Sequence, residues 1–360
     1  MLSKEDDYID NEYYTYNRRF FRLIGFWQRQ TSYKNKIYIF FINFILLLGS
    51  FEQMKKILCR IKYDWDVLTN KSEILILKKY AEISRLCTII IAIWFYLYIT
   101  FLIFPSFLTV FQYVFGIISE TELLLPIHAD YFLKNLMIYF TTLTLEYIII
   151  LIACTVGIAN YSMFIAVIQH ACALFSIVQW RVKQRFEKRS HNSYYVNVES
   201  ELLKEKEWIV TVIEFYKHAI EFVDLLKSFY ELIHLFEELL WFIFILVDYF
   251  YLFQIFTWTL NWTDIISKLL YIIGSLFVIF VYSYLSQQLI DHNVNVSIIF
   301  CEIPFYSLSL KTQKLLPLLI MKSMRQCSLS LTSAIVVSHD LLATSIKKSF
   351  SFAAVLFNLQ

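Results

Sequence analysis

Leu86–Phe111 reads LCTIIIAIWFYLYITFLIFPSFLTVF, with no charged residue in it. A bilayer's hydrocarbon core of about 30 Å needs roughly 20 apolar residues of helix. This stretch meets that requirement by itself. Outward from it, Leu136–Trp180 is a continuous apolar run whose single charge is Glu146. Leu239–Thr263 is aromatic-rich with one acid, Asp248, and Ile265–Leu289 carries one Lys near its start. Ala334–Leu359 is weaker, holding His339, Asp340, Lys347 and Lys348. Before Leu86 stands a short run, KIYIFFINFILLLGSF, from Lys36 to Phe51. Six candidate spans make this an all-α polytopic membrane protein.

Composition agrees. Of 360 residues, 58% are hydrophobic and 17% charged, against about 45–50% and about 25% in soluble domains. Thirty-four Phe, 25 Tyr and 8 Trp exclude disorder. Five Gly and 4 Pro speak against a turn-rich all-β fold. A net charge of +2 gives no reason to expect nucleic acid as a partner. The 6 Cys have no paired spacing, so neither a zinc site nor a disulfide framework is implied. The first 36 residues are polar, without the apolar core of a secretory leader.

Cytoplasmic loops carry the Lys/Arg excess. Segments 52–85, 181–206 and 311–325 are rich in Lys and Arg, whereas 112–133 and 257–264 have none. The first three are therefore expected inside and the last two outside. The C-terminus is then outside. Residues 1–36 also lean inside, yet one span between two inside segments is impossible. The short run 37–51 is either re-entrant or the remnant of two expected spans, and a missing span is the preferred reading. Residues 208–238 read as an amphipathic helix, with Ile209, Val212, Ile213, Tyr216, Ile220 and Val223 at helical spacing. No Pro or Gly separates it from the span at 239–263. A helix of more than 50 residues must project beyond the bilayer. With the overlong 136–180 helix and a basic amphipathic helix at 311–331, it predicts a helical domain on the cytoplasmic side.

Several segments then carry a resemblance. Cys301–Tyr306 reads CEIPFY, Met321–Ala334 reads MKSMRQCSLSLTSA, and Ser349–Leu356 reads SFSFAAVL. Upstream stand KYDWDVLTNKSEILILKKYAEISR (Lys62–Arg85), ANYSMFIAVIQHACALFSIV (Ala159–Val178) and FYKHAIEFVDLL (Phe215–Leu226). In order and spacing these resemble the insect odorant receptor family from about Trp27 onward. Ser328 and Ala334 stand where the family has Pro and Gly, and Phe305 where it has Trp. The family has two spans before its DW loop. Here one short run precedes it, as a deleted exon, an incomplete gene model or a degraded gene would produce.

The resemblance implies a seven-helix fold with a cytoplasmic anchor domain, six spans being clear here. The expected division is an N-terminal cytoplasmic segment (1–36), a transmembrane domain with an outer-half ligand pocket (37–310), and an anchor helix with the pore-lining last span (311–360). It implies a tuning subunit of an odorant-gated non-selective cation channel, in a heterotetramer with a shared co-receptor subunit. The location implied is the plasma membrane of an olfactory neuron dendrite. Apart from membrane lipid, the remaining partner is a small volatile molecule. No enzyme activity, cofactor or metal is expected. In the last span, Val355 and Leu359 match the family's hydrophobic constriction, with polar Asn358 between them and Ser351 one turn back. An apolar constriction gates by dewetting.

A small apolar ligand needs a concave apolar pocket with few polar groups. Aromatic and Met side chains supply the contact area. Trp94, Phe95 and Tyr98, then Met137, Phe140 and Thr141, and finally Tyr271 lie in the outer halves of the spans and are the candidate ligand residues. Ordinary helix packing is the competing explanation for each. Glu146 and Asp248 are intramembrane acids, costly unless bonded or functional. His170, His218 and His234 share no metal-ligand spacing. Of the sequons at Asn70, Asn160, Asn261 and Asn295, Asn261 alone is expected outside. A gustatory receptor of the same superfamily, a G-protein-coupled chemoreceptor and a non-functional truncated receptor remain alternatives. Against the second, the outside loops hold no Cys, and DRY and NPxxY motifs are absent.

Overall fold

The computed structural model describes residues 50–119, 123, 125, 136–191, 198–258, 262–325, 327–329 and 336–358. The run 37–49, the loop acids Glu120, Glu122 and Asp130, the sequon Asn261 and the pore candidate Leu359 lie outside them. Among these residues seven α-helices follow one another: α1 Ser50–Val67, α2 Lys71–Val114, α3 Leu136–His191, α4 Val198–Trp258, α5 Trp262–Cys301, α6 Leu310–Ser323 and α7 His339–Asn358. A 3-10 turn, Phe305–Ser307, joins α5 to α6. Among the described residues there is no strand. Among the described residues three helices are long and apolar enough to cross a membrane, Lys71–Val114, Leu136–Phe186 and Ile272–Cys301.

Local sequence explains the helix ends. Asn70 caps α2: its side-chain oxygen accepts the Ser72 amide at 3.0 Å, and its carbonyl accepts the Ile74 amide. α2 runs on through Pro105, whose ring removes one backbone donor. Gly116 then ends it in a left-handed conformation at φ 69°. The Ile117 amide reaches the Gln112 carbonyl and the Gly116 amide that of Tyr113, the double bond of a Schellman cap.

α3 has 56 residues and α4 has 61. At 1.5 Å per residue they measure about 84 and about 90 Å, well beyond a bilayer of about 30 Å. The expected projecting helices are present. The expected helix at 311–331 is shorter and stops at Ser323. Ser297 of α5 donates to the Ser323 carbonyl at 2.6 Å, and Asn293 to the Arg325 carbonyl at 3.1 Å. These side chains capture the carbonyls that the last turn leaves free.

The chain forms two compact units. Among the described residues, one holds 84–165 and the other joins 50–83 to 166–358. In the first, two apolar clusters hold the outer parts of α2 and α3: Ile99, Cys154 and Ile158, and Leu123, Leu125, Tyr139 and Leu143. In the second, α4 packs against α1, α5, α6 and α7. α3 is buried almost continuously there, from Ala166 to Val178.

Candidate functional site: ligand region, last helix and inner polar cluster

Within the 84–165 unit, Phe95 and Tyr98 both pack against the Ile99–Cys154–Ile158 cluster. Phe95 also meets Tyr161, with ring centroids 5.7 Å apart. Trp94 is half-buried on the same helix. Phe140 belongs to the other cluster, edge-on to Tyr139 at 5.3 Å. Met137 is 79% exposed. Thr141 is exposed too, and its hydroxyl turns back to the Met137 and Ile138 carbonyls at 2.6 and 2.9 Å. Tyr271 is on α5, and its side chain is outside the described residues. The candidate ligand residues therefore fall into two apolar clusters and an exposed pair.

Sequence reasoning missed a polar contact here. Ser106 is buried and donates to the Ile103 carbonyl at 2.9 Å, so its oxygen accepts the Tyr147 hydroxyl at 2.8 Å. The pair links α2 to α3 in apolar surroundings. Neither residue stood out, because the link is visible only once the helices are side by side. An open groove of about 440 Å³ runs along α2 past Ile89, Ile93, Tyr96 and Leu97. Trp94, Phe95 and Tyr98 do not line it. Glu146 is buried on α3, and Asp248 is half-buried on α4.

α7 leans on α4 through aromatic side chains. Phe350 meets Tyr249 and Phe253, each at 5.5 Å, and Phe357 meets Phe253 at 5.8 Å. Ser349 and Ala353 are fully buried. Ser351, Val355 and Asn358 are exposed on the opposite side. The structure thus brings three pore candidates onto one uncovered face.

The densest chemistry lies in the second unit. Asp64 of α1 is 4% exposed and faces two imidazoles. His170 Nε2 of α3 stands 2.8 Å from one carboxylate oxygen, and His218 Nε2 of α4 stands 2.6 Å from the other. A guanidinium only donates, so Arg60, bonded to His218 Nδ1, fixes that nitrogen as acceptor. His218 is then neutral with its proton on Nε2, aimed at Asp64. His170 also gives Asp64 its Nε2 proton, and its Nδ1 is buried without a partner. Burial acts to raise the Asp64 carboxyl, but the hydrogen bonds from His170 and His218 outweigh it and hold it below its ordinary value. Asp64, His170 and His218 come from the three upstream segments that carried the family resemblance.

Two more bridges flank this cluster. Arg181 grips Glu73 with two bonds, at 2.7 and 3.0 Å, and lies over the Phe215 ring at 4.1 Å. Tyr80 bonds both Ser176 and His292 Nε2 at 2.7 Å. Because His292 Nδ1 points at the Gln288 carbonyl, it carries the proton, and Tyr80 donates to Nε2. Near the start of α4, Glu205 accepts from the Ser309 amide at 2.9 Å and from its hydroxyl at 2.7 Å. That carboxylate sits at the N-terminus of α6, where the helix dipole favours it. Burial tends to raise Glu205, but the Thr312 and Ser309 contacts and Arg185 hold it below its ordinary value. His170, His218 and His292 thus serve hydrogen-bond networks, the His234 side chain lies outside the described residues, and no group that could hold a metal occurs among the described residues.

Three helices long and apolar enough to cross a membrane, among the described residues of an all-helical chain, fit the class of polytopic membrane proteins. A family model described as 7tm Odorant receptor matches residues 4–349. The chain belongs to that odorant receptor family. Its fold is similar to the insect olfactory receptor OR5 from Machilis hrabei, at 11% identity and a TM-score of 0.58, over 96% of this chain and 97% of that one. It is likewise similar to the same receptor in complex with eugenol, at 13% identity and a TM-score of 0.61, over 99% and 100%. Among curated proteins none matches.

Proposed function

We propose that this membrane receptor is the odorant-tuned subunit of a ligand-gated non-selective cation channel, working with a shared co-receptor subunit in an olfactory neuron's plasma membrane. The observation that carries this reading is the uncovered face of α7. A helix whose opposite edge is buried and whose free face runs Ser351, Val355 and Asn358 suits a wall shared with other subunits. Leu359 extends that face by spacing. The N-terminal segment 1–36 would lie inside, 37–310 would hold the ligand, and 311–360 would supply anchor and pore.

The ligand would be a small volatile apolar molecule, as eugenol bound to the OR5 relative suggests. Phe95, Tyr98, Trp94 and Phe140 would supply apolar contact. Met137, Thr141 and Tyr271 would complete the outer region. Binding more tightly to the open state than to the closed one would open the pore. No catalytic step enters.

Co-expression with a co-receptor tests this. Apolar volatiles should evoke a cation current from the pair and none from this chain alone. Val355→Ser should wet the constriction and give leak current or altered selectivity, whereas Phe357→Ser should mainly reduce surface expression. An odorant signal that persists without any co-receptor would refute the proposal.

A further inference from the structure

The free face of α7 carries a feature that the constriction does not use. With about 100° of turn per residue, Asp340, Thr344, Lys347, Lys348 and Asn358 fall within about 60° of Ser351. Ser349 and Ala353, both fully buried, fall on the far side. Lys347 and Lys348 are exposed. Neither forms an ion pair or a side-chain hydrogen bond among the described residues. Ser351 donates its hydroxyl to the Lys347 carbonyl at 2.9 Å, so the helix is regular through this point. The aromatic contacts to α4 flank this stripe and leave it open.

Two adjacent ammonium groups in mid-helix need water. Lys347 stands eight residues into a 20-residue helix, which is about 12 Å along its axis. Facing lipid at that depth is costly, and intramembrane charges turn instead to aqueous cavities. We infer that Lys347 and Lys348 line the water-filled inner stretch of the conduction path, about two turns before the Val355 constriction, and lower its permeability to divalent relative to monovalent cations without abolishing it. This rests on the pore reading above. A passing cation meets two positive charges from this subunit, and Asp340 offsets one of them about 10 Å further in. A divalent ion feels twice the repulsion of a monovalent one. Rings of Lys or Arg are the usual device for turning cations away.

The test compares the full chain with its Lys347→Gln/Lys348→Gln, Lys347→Glu/Lys348→Glu and Lys347→Arg/Lys348→Arg variants, each co-expressed with the co-receptor. Reversal potentials under calcium and sodium gradients give the relative divalent permeability. The Gln pair should raise it on the order of 3-fold and the Glu pair further, and the Arg pair should leave it unchanged. Unchanged permeability across all three, while Val355→Ser still alters selectivity, overturns the lysine assignment and leaves the pore reading standing. If Val355→Ser is silent as well, the pore reading itself fails. Should the Gln pair carry no current, Lys348→Cys is read by labelling with a membrane-impermeant thiol reagent in inside-out vesicles. Labelling above the background of exposed Cys59 and Cys301 supports the inference, and none overturns it.

Discussion

The two ends of α3 are built on different rules. From Ala166 to Val178 nearly every side chain is buried, and buried polar residues there include Gln169 and His170. From Met137 to Leu151 the same helix exposes Met137, Ile138, Leu145, Ile148, Ile149 and Leu151. The inner end is specified by directional contacts: one carboxylate between two imidazoles, one guanidinium clamped by one carboxylate. The outer end is specified by apolar surface, which is non-directional and tolerates exchange. Fixed scaffold and adaptable surface are thus segregated along one helix. The proposed odorant-binding role calls for that segregation: an adaptable apolar surface for the ligand and one fixed polar scaffold.

The contrast predicts a steep gradient of mutational cost. The largest effect belongs to Asp64→Ala. It strands the Nε2 protons of His170 and His218 and leaves the Arg60 charge without its relay. Each buried donor left unsatisfied costs about 1–3 kcal/mol. Loss of folded receptor, read as a drop in melting temperature in detergent, should be severe. Asp64→Asn should be milder, because His170 Nδ1 is unpaired and that imidazole can change tautomer to meet the amide. Comparable damage from Ile148→Ala in the outer half would break the comparison, since an exposed substitution should stay within about 0.5 kcal/mol.

The sequence foretold these regions unequally. The lengths of α3 and α4 follow from uninterrupted patterns without Pro or a helix-ending loop, and both helices are present. The role of the His residues could not be read from spacing. Asp64 lies 106 residues before His170 and 154 before His218, so helix packing alone unites them. The end of α6 was misplaced for a related reason. Its stop comes from Ser297 and Asn293 on another helix, and no local signal within 311–331 encodes it. The exposed face of α7 was legible, because a four-residue spacing fixes a face whatever packs behind it.

A smaller effect, and one that pH uncovers, concerns Glu205. Its folded value is held below the ordinary 4.5. A lowered carboxyl contributes stability that is complete above the unfolded value and disappears as pH falls through the folded one. The gap in melting temperature between the native chain and Glu205→Gln should therefore stay constant from pH 8 to about pH 5 and shrink below about 4.5. A gap that shrinks between pH 8 and 6 would mean the carboxylate is not the group anchoring α6. The proposed odorant region should be indifferent to this substitution, with unchanged ligand ranking.

The smallest expected change in stability sits at Thr141. Its hydroxyl already serves two carbonyls of its own helix, so it holds no neighbouring element in place. Thr141→Val keeps the branched shape and removes only that back-bonding, which tends to bend helices rather than stabilise them. The melting temperature should shift by no more than the equivalent of about 0.5 kcal/mol. The odorant response should move more than the stability does. In an apolar pocket one hydroxyl discriminates between ligands that do and do not bond to it. Half-maximal concentrations for alcohols and phenols should rise several-fold relative to those for hydrocarbons of the same size. An equal shift for both classes would place Thr141 outside the ligand's reach. A large loss of folded receptor would instead show that the outer end of α3 is as exacting as the inner one.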